Sequence, residues 1–170
     1  MFKFNLDSSK KYCLLRKSEI DLTYTYKQYA TRAFIEVVGR GVYPVGGCKP
    51  EGLWYAFGRE WLDFKHANLR GADDYQLGPL FELEVDTNKF IKLTSKEEVT
   101  AFHKKYSNTL AEHSDIIDWT KVASKYDGIE ITPFDRWSDF YWYKTYDLAS
   151  GCIWNLKSIK NIIRINKENV

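Results

Sequence analysis

Short runs in which apolar and polar residues alternate, separated by turn-forming residues, dominate this chain. Alternation of that kind turns one side of a strand toward a core. Phe2-Lys3-Phe4-Asn5-Leu6 is the first such run and Asp7-Ser8-Ser9 ends it. Tyr12 to Arg16 reads as a buried strand whose last residue emerges at the sheet edge, and Leu53 to Phe57 as another strand. Phe81 to Asp86 alternates apolar and acidic residues, and the turn Asp86-Thr87-Asn88 leads into Phe90 to Leu93, which together predict a hairpin. Ile129 to Thr132, Tyr141 to Leu148, Gly151 to Trp154 and the tail Ile159 to Ile165 are predicted as further strands.

Helical spacing is rarer. Leu22, Tyr26, Tyr29, Ala30, Ala33, Phe34 and Val37 lie on one face of a predicted helix over about 22–38. Glu60 to Lys65 predicts a short helix carrying Trp61 and Phe64 on one side. Ser95-Lys96-Glu97-Glu98 is a capping box, in which the serine hydroxyl accepts from the amide three residues on and the glutamate reaches back, and it predicts a helix to about Tyr106. A further helix is predicted over 116–124, with Trp119, Val122 and Ala123 inward. Strands outnumber helices without regular alternation between the two, so the class is α+β.

The 170 residues fit one domain spanning 1–170, long enough to bury roughly 70% of the unfolded surface. No repeat or Pro/Ser-rich linker divides it. With 25 basic and 23 acidic side chains the net charge is +2, so no strong field steers the protein toward nucleic acid or membranes. The basic stretch from Lys157 to Lys167 reads as a solvated face. No apolar run approaches a membrane span, and the N-terminus lacks the apolar core of a signal peptide. Cys13, Cys48 and Cys152 match neither a zinc site nor a disulfide framework, so reduced thiols and a cytosolic setting are expected. Aromatic residues are 16% of the chain, more than a minimal core requires, so some are expected to line a ligand groove.

Two runs carry candidate chemistry. Gly52-Leu53-Trp54-Tyr55-Ala56 sets an aromatic pair after a glycine, and Tyr126-Asp127-Gly128-Ile129-Glu130-Ile131 sets one carboxylate inside an apolar strand. An aromatic face and a buried acid suit a flat cationic ring joined to a ribose. The glycine-rich segment 39–47 lacks the Gly-Lys-Ser/Thr ending of a triphosphate loop, and no Rossmann fingerprint occurs.

The first run resembles the Gly-Ile-Tyr-Phe-Ala run of the ADP-ribosyltransferase superfamily, which includes poly(ADP-ribose) polymerases and bacterial mono-ADP-ribosylating toxins. The order of elements is similar over about 12–154. The resemblance implies an ADP-ribosyltransferase-like fold, two packed antiparallel or mixed sheets around an NAD cleft with flanking helices. It implies an NAD⁺-dependent mono-ADP-ribosyltransferase, a monomer of toxin or viral-effector type, that passes ADP-ribose to a protein or nucleic acid and needs no metal. Trp54 takes the place of the family's stacking tyrosine, with Tyr55 after it, and Glu130 that of the catalytic glutamate. Arg16 takes the place of the arginine that clamps the phosphates, with Arg40 as a rival, and Ser18 and Trp61 are further NAD-binding candidates.

Departures narrow this implication. Gly128 stands where the arginine-modifying branch has Glu or Gln, the Ser-Thr-Ser run is replaced by Ala56-Phe57-Gly58, and no histidine lies where the polymerases have one. Asp147 to Trp154 forms another dense motif, which brings Ser150 and Trp154 to a groove or is a turn followed by a core tryptophan. The alternatives are an NAD⁺ glycohydrolase of the same fold and a non-catalytic aromatic-lined module binding nucleotide, peptide or glycan.

Overall fold

The computed structural model describes residues 6–14, 48–50, 52–61, 63–64, 80–107 and 116–165. The predicted strand over 2–6 (apart from Leu6), the helix over 22–38 and the glycine-rich segment up to 47 lie outside them. Within them are strands β1 (Lys11–Leu14), β2 (Leu53–Phe57), β3 (Leu80–Val85) and β4 (Phe90–Leu93), then helices α1 (Lys96–Tyr106) and α2 (Trp119–Ala123). Strand β5 (Gly128–Ile131), helix α3 (Tyr141–Lys144), β6 (Ser150–Ile153) and β7 (Ile159–Ile165) follow. The class is α+β, as expected. No helix among the described residues is long and apolar enough to cross a membrane.

All seven strands join one mixed sheet in the order β4-β5-β6-β2-β1-β3-β7. The expectation of two separate packed sheets is therefore corrected. So is the hairpin: β3 pairs with β1 and β7, whereas β4 pairs in parallel with β5. Five strand positions separate β4 from β3, about 24 Å in a flat sheet. The link from Val85 to Phe90 spans at most about 18 Å. The sheet must therefore curl, and Phe90 clusters with Leu83 and Val85 on the inside of that curl.

Strand alternation then sorts side chains between two sides. The concave side holds Cys13, Leu53, Tyr55, Phe81, Leu83, Phe90 and Ile153. The other side carries Leu93, Ile129, Ile131 and Cys152 and receives the helices. Helix α1 buries Val99, Phe102 and Tyr106 there. Its cap is close to the expected one: Ser95 accepts from the Glu98 amide, but Glu98 reaches one residue further back, to the amide of Thr94 at 2.6 Å.

The predicted strand over Tyr141 to Leu148 is also corrected, because its first four residues form helix α3. Trp142, Tyr143 and Tyr146 are all buried, a spacing of three and four rather than two. The β preference of their rings obscured it.

Candidate functional site

Glu130 lies on the third residue of β5 and is 5% exposed. Its position follows from register. Tyr55 on β2 and Glu130 on β5 both pair with Gly151 on the strand between them, so the two point to the same side with only a hydrogen at the middle position. A Cβ at Gly151 would lie 2.3 Å from Cζ of Tyr55, so the glycine is what lets the ring lie across β6. The Tyr55 hydroxyl then donates to Oε1 of Glu130 at 2.7 Å. Burial, and next the charge of Glu130, hold that hydroxyl well above the usual tyrosine range.

Two lysines face the same carboxylate. Nζ of Lys11 lies 3.3 Å from Oε1 and Nζ of Lys92 lies 4.0 Å from Oε2. Lys92 is the next member of the same row, paired with Glu130 on the parallel neighbour β4. Lys11 comes from β1, three positions along the sheet, and reaches Glu130 because the sheet curls. Its ammonium also sits 5.4 Å from the ring centroid of Phe57, its partner on β2. The result is a buried acid fixed by one phenol and two cations beside an aromatic face.

Trp54 is elsewhere. It pairs with Cys152, which pairs with Ile129, so it points away from Glu130 to the side that carries the helices. There it meets the Tyr146 ring edge-on at 5.2 Å, and Lys49 lies 5.3 Å from its centroid. The expectation that the indole and the carboxylate converge is overturned by the alternation of neighbouring strand residues. Tyr55, the residue expected only to follow the stacking group, is the one that meets Glu130. Trp61 packs edge-on against Phe64 at 6.4 Å, and no described contact joins it to Glu130. Arg16, Ser18 and Arg40 lie outside the described residues. Trp154 is buried among Trp119 and the helical cluster, and Ser150 donates to the Leu148 carbonyl, so this motif is a turn and a core tryptophan.

A cleft of about 410 Å³ opens at the end of β2 and β5, where Phe57, Arg59, Thr132, Phe134 and Asp147 line it. Its size is that of a small-molecule site. Phe57 belongs to both the cleft and the lysine contact, and Thr132 is two residues beyond Glu130. Lys11, Phe57 and Gly151 were not among the sequence candidates. Parity along β2 relative to Glu130 would have identified Tyr55 and Phe57, but parity needs the register, which no local run contains.

Comparisons with protein-family models, curated proteins and solved structures find no match.

Proposed function

We propose that the chain is an NAD⁺-consuming enzyme of the ADP-ribosyl-transfer type, with Glu130 as the acid that steadies the ribosyl cation. The resemblance of the runs over 52–56 and 126–131 is what points to NAD⁺. The observation that supports a chemical role for the acid is its placement. A carboxylate at 5% exposure is held by the Tyr55 hydroxyl at 2.7 Å and Lys11 at 3.3 Å. Replacing a buried ion pair by well-packed apolar residues is often neutral or stabilising, so stability alone gives little reason to keep it. A fixed negative charge in a water-poor place lowers the energy of a positive charge that develops beside it. The bond that opens is the one between nicotinamide and ribose, and the ring leaves neutral with the bonding electrons. A macromolecular nucleophile then bonds to the ribosyl carbon and gives up its proton to solvent, or water does so in the glycohydrolase variant. In this reading Tyr55 and Phe57 replace Trp54 as the aromatic groups on the side of the acid.

A second reading, a non-catalytic binding module, is favoured by one observation: both oxygens of Glu130 already face cations, Oε1 facing Lys11 and Oε2 facing Lys92. The test is release of nicotinamide from NAD⁺ by the pure protein, with labelled NAD⁺ and cell lysate added to detect an acceptor. Release by the wild type that disappears in Glu130→Gln, with NAD⁺ binding retained, upholds the enzyme. No release by folded wild-type protein, alone or with lysate, leaves the binding module.

A further inference from the structure

We infer that the Phe57 ring and the Glu130 carboxylate form a cation site that Lys11 fills from within, and that a flat organic cation on the ligand takes its place. The reading above supplies only the identity of that ligand, a pyridinium riboside.

Three features carry the inference. First, Lys11 makes the two contacts that an organic cation needs, an aromatic face at 5.4 Å and a carboxylate oxygen at 3.3 Å. A planar pyridinium satisfies both at once, with a delocalised charge that is weakly hydrated and a face that stacks. Second, the carboxylate stays put if the lysine leaves. Tyr55 continues to donate to Oε1, and Lys92 remains near Oε2. The Lys11 side chain is 20% exposed on a flexible four-carbon stem, so it can swing into water. Third, the ligand body has somewhere to go. Phe57 is a wall of the cleft of about 410 Å³, which the Phe134 ring and the Arg59–Asp63 ion pair also line. Phe57 is thus the residue shared by the cation site and a volume suited to a small molecule.

An internal occupant competes with the ligand, so its removal raises apparent affinity by the inverse of the fraction of time the site is open. The probe is 1-methylnicotinamide, with neutral nicotinamide as its uncharged counterpart, followed by NMR titration and calorimetry. Wild-type protein should bind the cation weakly, with shifts in the Tyr55 and Phe57 ring signals and in the Lys11 ε-methylene signal. Lys11→Met should bind it about tenfold more tightly, and Lys11→Met/Glu130→Gln should lose that gain. Lys11→Met leaves a buried acid short of one partner, so its melting temperature should drop and be restored by the cation but not by nicotinamide. If Lys11→Met does not fold, the wild-type titration decides alone.

The inference is overturned if the Lys11 signal does not move on titration. It is also overturned if nicotinamide binds as well as its methylated cation, or if Lys11→Met gains nothing. Nicotinamide release from NAD⁺ is scored separately. Cation binding without NAD⁺ cleavage keeps this inference and removes the enzyme. Cleavage with no response at Lys11 does the reverse.

Discussion

Trp54 and Tyr55 are neighbours in the chain and look out on opposite sides of one sheet, and the two sides use aromatic rings differently. On the helical side rings pack on rings: Trp142 meets Phe102, Trp119, Tyr143 and Tyr146 at centroid distances between 5.2 and 6.2 Å. Where their polar tips bond, they bond to uncharged groups of that side: Trp142 Nε1 donates to Nδ1 of His103 at 3.2 Å and the Tyr143 hydroxyl to the Asp135 carbonyl. On the concave side the Tyr55 hydroxyl and the Phe57 face are both directed at charge, one at Glu130 and the other at Lys11. Rings on the first side hold the fold together, with Lys49 over Trp54 and Tyr146 at 5.3 and 5.7 Å, and rings on the second keep a buried acid and a cation in fixed geometry. Aromatic content alone cannot tell these uses apart.

The largest expected effect tests what the sides share. Burial raises the thiols of Cys13 and Cys152 and the hydroxyls of Tyr55 and Tyr146, one thiol and one phenol on each side. The folded protein keeps these protons where the unfolded chain gives them up. Their contribution is therefore complete below the ordinary thiol value of 9.0 and is lost as pH rises past it and past the ordinary phenol value of 10.0. Each group adds a slope of up to about 1.4 kcal/mol per pH unit in that window. Urea midpoints measured from pH 7 to 11 should be level at first and fall steeply above 9. A midpoint unchanged at pH 11 would mean that these groups are not buried.

Trp142→Ala comes next, because it removes the ring at the centre of the helical cluster. The loss should be about 3–5 kcal/mol by denaturant unfolding. The comparison also requires that Glu130→Gln cost less than this, because the concave row is there for its charge. The reverse ranking would erase the distinction between the two sides.

How much of this was legible in the sequence depends on the range of the interaction. Helix α1 was, because Ser95, Glu98 and the apolar spacing act within a few residues, and the seven described strands were located to within a residue or two, although Tyr141 to Leu148 was read as an eighth strand and begins as helix α3. Pairing was not. Asp86-Thr87-Asn88 looks like a hairpin turn, but the chain uses it to cross from one limb of the curled sheet to the other. The candidate acid Glu130 was visible as a carboxylate between isoleucines. Its partners were not, because Tyr55 lies 75 residues away and Lys11 further still, and only register decides which of two adjacent aromatics faces it. Trp54 was the natural candidate by resemblance, and parity turns it to the helical side, where it packs half-buried against the core.

Gly151→Ala tests the concave row. The new methyl would overlap the Tyr55 ring and displace its hydroxyl from Glu130. A loss of about 1–3 kcal/mol is expected. In a Tyr55→Ala background most of that loss should vanish, because the obstructing ring is gone, and a double-mutant cycle reads the coupling directly. Additive effects would show that the ring does not cross β6.

Two phenylalanine substitutions, the second the smallest effect of all, sharpen the comparison most, because their signs should differ. Tyr55→Phe removes the donor to a buried carboxylate and should destabilise by about 1–3 kcal/mol, since Oε1 is left with Lys11 as its partner. Tyr146→Phe deletes a buried hydroxyl that has no hydrogen-bond partner among the described residues. Nothing is lost with that oxygen, and the desolvation cost it carried disappears, so the variant should be neutral or more stable by up to about 1 kcal/mol. Both changes remove one oxygen from a ring and keep its shape, so the difference between them isolates what each hydroxyl does. Equal losses in chemical denaturation would mean that Tyr146 also satisfies a polar group, and that the two sides of the sheet employ their phenols alike.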